Sequence, residues 1–139
     1  MTAVLRFDPR GVVDSQPVGD FYALREPLRT PAASRAGLAV AGEPAAPGDT
    51  PQTLTKRALA RLDADAVVID VEDAELAGVP AVRLLFLEQL GGVATVVLEQ
   101  WRFVAAGTAW VVTATADLAS WARIAAALRD VVATMEVAP

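Results

Sequence analysis

The sequence predicts an α+β fold, in which a long C-terminal helix packs across an antiparallel β-sheet and a shorter helix precedes the main strands. Between residues 66 and 137, four segments of β-type patterning are joined by short connections and lead into one long amphipathic segment. Connections of so few residues cannot form parallel crossovers, so the strands should be antiparallel. The length of 139 residues suits one domain, and we therefore predict a single domain over residues 1–139.

The first 48 residues are predicted to be rich in loops, since Pro, Gly, Ala and Arg dominate much of this stretch. Short extended segments are expected at residues 3–7, 20–28 and 37–41. The prolines restrict these segments to sheet edges or irregular strands, because proline cannot donate a backbone hydrogen bond.

A first helix is predicted to begin after Asp49 and Thr50 and to end near Leu62. A capping-type side chain followed by Pro51 is typical of a helix N-terminus. Its buried stripe should consist of Leu54, Ala58 and Leu62. The basic side chains beside the stripe are interpreted as a solvated helix face, with a partner contact as the alternative; they are Lys56, Arg57 and Arg61.

Four strands follow the first helix. In the first of them, alternation from Ala66 onward predicts one buried face, formed by Val67, Ile69 and Val71. After a turn at residues 77–80, the segment 81–88 is apolar on both faces. Gly91-Gly92 and residues 105–107 predict hairpins that bound strands over 93–104 and 108–115, because glycine supplies the positive φ angles of tight turns.

The terminal helix is predicted to begin after Asp117, a good N-cap residue. Apolar residues at helical spacing form its predicted stripe, which comprises Leu118, Trp121, Ile124 or Ala125, Leu128, Val131 or Val132, and Met135. Alanines at 122, 125, 126 and 127 should let the helix approach the sheet closely. Trp121 is the expected buried anchor of the first turn.

The side-chain chemistry disfavours an enzyme. The chain contains no His and no Cys, so neither a classical triad nor a thiol nucleophile can form. The glycines lack the spacing of a phosphate-binding loop. Glu88 and Glu99 are the alternative, as a paired general acid and base. The acidic cluster is interpreted as a solvated sheet edge and not as a metal site; it comprises Asp63, Asp65, Asp70, Glu72, Asp73 and Glu75. We therefore expect no cofactor and no metal.

Charge and hydropathy narrow the expected partners. The formal charge of −5 disfavours nucleic acids and anionic membrane surfaces. No apolar run reaches the roughly 18–20 residues of a membrane span, so we expect no membrane insertion. The first residues lack the pattern of a secretory signal, and the expected location is the cytoplasm.

The element order and several local sequences resemble the PsbP-like α/β sandwich superfamily. The local sequences are Leu38-Ala-Val-Ala-Gly-Glu-Pro, Ala77-Gly-Val-Pro-Ala, Trp110-Val-Val-Thr-Ala-Thr-Ala and the Trp-x-x-Ile-x-x-x-Leu that starts at Trp121. Within the superfamily, residues 37–137 are most similar to the bacterial DcrB-type branch, which includes cytoplasmic Eag chaperones for type VI secretion effectors. Related actinobacterial lipoproteins carry a signal peptide and an anchoring Cys, which this sequence lacks. The resemblance implies the PsbP-like fold and a client site on the sheet surface.

The strands also suggest which residues contact a partner. Because they are apolar on both faces while only one long helix is expected to cover them, the second face needs the first helix, a second copy of the chain or a client protein. The candidate partner-binding residues are Leu85, Leu87, Val96, Leu98, Trp101 and Trp110. Core packing is the alternative for both tryptophans and for Phe103.

Two functions remain open at this point. The preferred one is a non-enzymatic protein-binding module, an adaptor or chaperone for a secreted or toxin-like client, which acts through an apolar sheet face or as a homodimer. The alternative is a small-ligand-binding or enzymatic protein, with a cavity between helix and sheet. A polar-lined cavity would favour the second function, and a shallow apolar surface the first.

Overall fold

The computed structural model describes residues 4–6, 14–18, 21–25, 37–90 and 94–138. In chain order, the described elements are β1 (Val4–Arg6), β2 (Asp14–Val18), β3 (Phe21–Arg25), β4 (Gly37–Pro44), α1 (Pro51–Ala60), β5 (Val67–Leu76), β6 (Val79–Leu90), β7 (Ala94–Ala105), β8 (Thr108–Asp117), α2 (Leu118–Ala133) and β9 (Glu136–Ala138). They confirm the predicted α+β fold with a short helix before the main strands and a long helix after them.

The main sheet has seven strands in the order β2-β3-β4-β8-β7-β6-β5, and every neighbouring pair is antiparallel. Strands β1 and β9 form a separate antiparallel pair. The three predicted N-terminal segments coincide with β1, β3 and β4, whereas β2 was not predicted. Strand β2 contains Pro17 and lies at one end of the described sheet, as expected for a strand that carries a proline.

Two-residue turns connect β5 to β6 and β7 to β8. Ala77 and Gly78 have φ angles of 53° and 76°, and Ala106 and Gly107 have φ angles of 52° and 74°. Positive φ at both central residues matches the right-handed twist of the flanking strands, so these turns set the register of both hairpins. The predicted hairpin at Gly91-Gly92 lies outside the described residues.

Helix α2 covers one face of the sheet. The Asp117 side chain accepts a hydrogen bond of 2.7 Å from the backbone N–H of Ser120, which confirms the predicted N-cap. Strand alternation places Val40, Val112 and Trp101 side by side on this face. They pack with the buried side of α2 into the main core, to which the helix and its C-terminal extension contribute Ile124, Leu128, Val131, Val132 and Met135.

Three details of the predicted α2 stripe are wrong. Leu118, the first residue of the helix, is 52% exposed. Trp121 is only half-buried at the border of the core, where its ring lies 5.8 Å from the guanidinium carbon of Arg129. Ala122 and Ala126 are exposed, so the close approach to the sheet involves Ala125 and Ala127 instead.

Helix α1 lies on the opposite face, against β6 and β7. Thr50 and Thr53 form a reciprocal capping box at its start. The predicted stripe of Leu54, Ala58 and Leu62 is half-buried, and the most buried residue of the helix is Thr55. The hydroxyl of Thr55 donates to the carbonyl of Pro51 at 2.8 Å, so its burial leaves no donor unpaired.

A close contact between β4 and β8 depends on glycine. Gly42 lies directly opposite Trp110, and a Cβ atom at Gly42 would lie 2.8 Å from Cζ3 of the indole. Trp110 in turn stacks on Phe103, with ring centroids 6.4 Å apart. Gly42 therefore makes room for the aromatic pair in the core.

Two leucines of α2 test the arrangement of the core. Leu128→Ala should lower the free energy of unfolding by about 2–5 kcal/mol, because Leu128 is fully buried and its truncation leaves a cavity. Leu118→Ala in the same helix should cost less than about 1 kcal/mol. Urea denaturation of both variants measures the difference, and equal losses would contradict the described orientation of α2.

Candidate functional site

Strand β5 exposes apolar side chains at the end of the sheet. Val67, Val68, Ile69 and Val71 are 43–55% exposed, and no strand pairs with the outer side of β5 among the described residues. Helix α1 packs mainly on β6 and β7, and α2 on β7 and β8. Only the edge of α1, at Thr55 and Leu59, faces β5, across a cavity that Val71 also lines. The predicted buried face of Val67, Ile69 and Val71 is therefore wrong.

A bulge in β5 explains why the alternation of residues predicted the wrong buried face. Val67 and Val68 pair with Leu87 and Phe86, but the next pair joins Asp70 to Leu85, so Ile69 is an extra residue. The extra residue shifts the alternation by one. Val67 consequently lies on the α2 face, whereas Val71 lies on the α1 face, and the predicted stripe is divided between the two faces.

An ion network holds the acidic part of β5. Nη1 of Arg83 donates to the carboxylates of Asp70 and Glu72, at 3.1 Å each. Nε and Nη2 of the same arginine donate to Oε2 of Glu99, at 3.0 and 2.7 Å. Arg83 therefore connects β5 to the interior of β7.

The Glu99 carboxylate is fully buried at the centre of this network. Arg129 of α2 donates from Nε to Oε1 at 2.8 Å and from Nη2 to Oε2 at 2.7 Å. The hydrogen bond to Glu99 raises the pKa of Arg129 above its ordinary value. Because a buried carboxylate is tolerated only when it is paired, the two arginines together offset the cost of burying Glu99.

The two glutamates considered as an acid and base pair are not together. Glu99 lies on the α2 face of β7, whereas Glu88 pairs with Val96 and therefore lies on the α1 face of β6. The sheet separates their side chains. They cannot act on one substrate from these positions.

A groove runs between α1 and its sheet face. Its volume is about 540 Å³. Apolar residues of the helix and of the strands form most of its walls, among them Leu54, Ala58, Leu62, Phe86, Leu98 and Val111. Its charged lining consists of Arg57, Arg61, Arg102, Glu43 and Glu88.

Arg102 is the unusual residue of this groove. Its Nη1 atom is buried and has no hydrogen-bond partner, and its guanidinium forms no ion pair within the described part of the chain. Burial lowers the pKa of Arg102. In contrast, Nη2 of Arg57 donates to Asp49 at 2.7 Å, and this bond lowers the pKa of the Asp49 carboxyl.

The six candidate partner-binding residues do not form one surface. The strand register places Leu85, Leu87, Trp101 and Trp110 on the α2 face and Val96 and Leu98 on the α1 face. Both tryptophans belong to the core, and Val96 is buried as well. Leu85, Leu87 and Leu98 are half-buried.

Some of the important charges could have been found from the sequence. Arg83 and Glu99 each lie among mainly apolar residues in the middle of a strand, which is typical of a buried ion pair. Arg102 lies in the same strand as Glu99 and carries the same signal, but its lack of a partner depends on which helix covers which face. Arg129 carried no such signal, because it lies on an exposed position of a helix. Ile69 resembled an ordinary strand residue, since a bulge has no sequence signature here.

Two further observations concern metal binding and membrane-spanning helices. Within residues 37–90 and 94–138, no group of three or more acidic residues is arranged to hold a metal ion. None of the described helices has the length and apolar character needed to cross a membrane.

Comparisons with known proteins support the fold. No family model and no curated protein matches the sequence. The chain is similar in structure to PA94 of Pseudomonas aeruginosa, a protein of unknown function described as a candidate regulator, with a TM-score of 0.73, 15% identity, and coverage of 91% of this chain and 98% of that chain. It is also similar to LpqN of Mycobacterium tuberculosis, described as involved in cell envelope biogenesis, with a TM-score of 0.73, 13% identity, and coverage of 99% and 85%.

Cyanobacterial PsbP from Synechocystis sp. PCC 6803 is a third similar structure. Its TM-score is 0.53 at 10% identity, with coverage of 98% of this chain and 92% of that chain. At such identities the similarity concerns the fold alone. The chain therefore has a PsbP-like fold, as the sequence resemblance implied.

Two Glu→Gln substitutions test the ion network. Glu99→Gln should lower the free energy of unfolding by about 3 kcal/mol, because it leaves Arg83 and Arg129 without their shared buried anion. Glu88→Gln, on the adjacent strand and without a hydrogen bond or ion pair in the described structure, should cost less than about 0.5 kcal/mol. Chemical denaturation of both variants measures the contrast, and similar losses would show that the network is not a stabilising element.

Proposed function

We propose that this protein is a protein-binding module whose β5 edge receives an extended segment of a client protein. The observation that carries the proposal is the exposure of Val67, Val68, Ile69 and Val71 on a terminal strand. Sheet edges that expose apolar side chains attract other strands. The bulge and the carboxylates of β5 restrict such pairing to a complementary partner. An added strand would satisfy the outer backbone groups of β5 and cover these side chains.

The site proposed here is the sheet edge and not a sheet face. Helix α2 covers one face and α1 lies on the other, so the chain itself provides much of the cover that a partner was expected to provide. The exposed apolar surface that remains lies beside the bulge at Ile69. A client would therefore contact the end of the sheet.

The charges of β5 favour a client over a second copy of the chain. Symmetric antiparallel pairing of two complete β5 strands would place Asp70 opposite Asp73 of the other copy, and like charges in direct opposition are destabilising. Asp73 and Glu75 form no ion pair in the described structure. A client segment with alternating apolar and basic residues would complement both the valines and these carboxylates.

The biological role that we propose is that of a cytoplasmic adaptor or chaperone, without catalytic activity, for a secreted or toxin-like client. The resemblance to the DcrB-type branch and its Eag chaperones supports this role, and the PsbP-like fold is compatible with it. The separation of Glu88 from Glu99 supports a non-enzymatic function. PA94 and LpqN are described in terms of regulation and envelope biogenesis, and a binding module is consistent with either.

A charge at the bulge tests the proposed edge. A peptide of about ten residues that alternates Val and Lys should bind the protein, and Ile69→Lys should weaken that binding about tenfold, equivalent to about 1.4 kcal/mol. Leu118→Lys is the matched control, because Leu118 is as exposed as Ile69 but lies in α2. Fluorescence anisotropy with a labelled peptide measures both variants.

Strand addition also requires the same peptide to donate backbone hydrogen bonds to β5. Proline in place of its central residues should abolish binding, because proline cannot donate the ladder hydrogen bonds. Equal binding of the proline peptide, or equal losses from Ile69→Lys and Leu118→Lys, would contradict edge recognition. Light scattering of the isolated protein should show a monomer, and a stable dimer that Ile69→Lys dissociates would replace the client with a second copy.

A further inference from the structure

The groove between α1 and the sheet combines a half-buried arginine, whose Nη1 atom is buried without a partner, with apolar walls. Burying a charge without a partner is costly, so a guanidinium in the position of Arg102 normally has a carboxylate beside it. Glu43 and Glu88 line the same groove, yet neither forms an ion pair with Arg102. Val82 is the cross-strand neighbour of Arg102. Glu88 lies six residues further along β6, and its backbone is therefore about 20 Å from that of Val82.

We infer that this groove binds a compact apolar carboxylic acid, with Arg102 as the counter-ion of the carboxylate. The inference concerns the α1 face of the sheet and is independent of the client site proposed at the β5 edge. A guanidinium presents two parallel N–H donors that match a carboxylate, and such charge-assisted bonds are strongest where water is excluded. The bound acid would supply the anion that the chain itself does not place beside Arg102.

The charges that line the groove favour a ligand with a single negative charge. Arg57 is already paired with Asp49, so the cations without an ion pair are Arg61 and Arg102. The carboxylates of Glu43 and Glu88 oppose them in equal number and repel additional negative charge. A carboxylate satisfies Arg102 with one charge, whereas a phosphate dianion would bring two.

The other residues that line the groove favour a ligand that is apolar apart from its carboxylate. Phe86 is buried in the floor of the groove, while Leu54 of α1 and Val111 of β8 provide half-buried apolar walls. The volume of about 540 Å³ lies within the range of small-molecule sites, which are mostly apolar with a few placed polar groups. An aromatic or branched acid fits both the apolar walls and the guanidinium of Arg102.

Isothermal titration with 2-naphthoate and with the uncharged 2-naphthylmethanol tests the inference on the unaltered protein. The acid should bind at least about tenfold more tightly than the alcohol, since only the acid pairs with Arg102. Absence of 2-naphthoate binding, or equal affinity for acid and alcohol, overturns the inference. This comparison does not depend on the folding of any variant.

Substitution of the arginines assigns the site. Arg102→Met should weaken 2-naphthoate binding about tenfold or more, whereas Arg61→Met, at an exposed position of the same groove, should change it less than about threefold. Without ligand, Arg102→Met should be at least as stable as the unaltered protein, because it removes a half-buried charge that has no ion-pair partner. A folded Arg102→Met that binds 2-naphthoate with unchanged affinity overturns the assignment.

The two proposed sites can fail separately. Ile69→Lys alters the β5 edge and should leave 2-naphthoate affinity unchanged, since Ile69 does not line the groove. Arg102→Met should in turn leave the affinity for the Val-Lys peptide unchanged. Loss of 2-naphthoate binding in Ile69→Lys would overturn the placement of the acid in the α1 groove.

Discussion

The buried carboxylate of Glu99 is the interaction on which the arrangement of the other parts depends. Arg129 connects it to α2, and Arg83 connects it to the carboxylates of β5. A single anion therefore joins a central strand, the covering helix and the terminal strand. Because both guanidinium groups offset the cost of burying it, the network favours one geometry of these three elements. The exposed strand is thus anchored from inside the sheet.

The two proposed binding surfaces follow from the way in which the helices cover the sheet. Helix α2 packs tightly over β7 and β8, with Leu128 and Val131 fully buried. Helix α1 is shorter and half-buried, and it leaves a groove beside it on the other face. Strand β5 receives little cover from either helix, since α1 borders it only across a cavity. The close packing of one layer and the incomplete cover of the other therefore separate a structural face from a face that can accept a ligand.

The architecture could be predicted from the sequence because its signals are local. Short connections, the caps at Thr50 and Asp117 and the helical spacing before Met135 each act within a few residues. The face on which each strand residue lies was harder to predict, since one extra residue at Ile69 reverses the alternation in β5. The same limit explains why Leu87 and Leu98 were assigned to one surface. Which side a strand residue faces depends on register and on the helix above it, and neither is a local property.

The order of the strands has a consequence for how the chain folds. Strands β5 to β8 pair with their neighbours in sequence, and two of their connections are two-residue turns with left-handed backbone. In contrast, β4 joins the sheet through distant partners, such as Gly37 with Thr115. Local pairings close small loops and form early, whereas the joining of β4 must wait for a large loop to close. We therefore expect the meander of β5 to β8 to form first and β2 to β4 to assemble onto it, and its amides should exchange with solvent most slowly at β7.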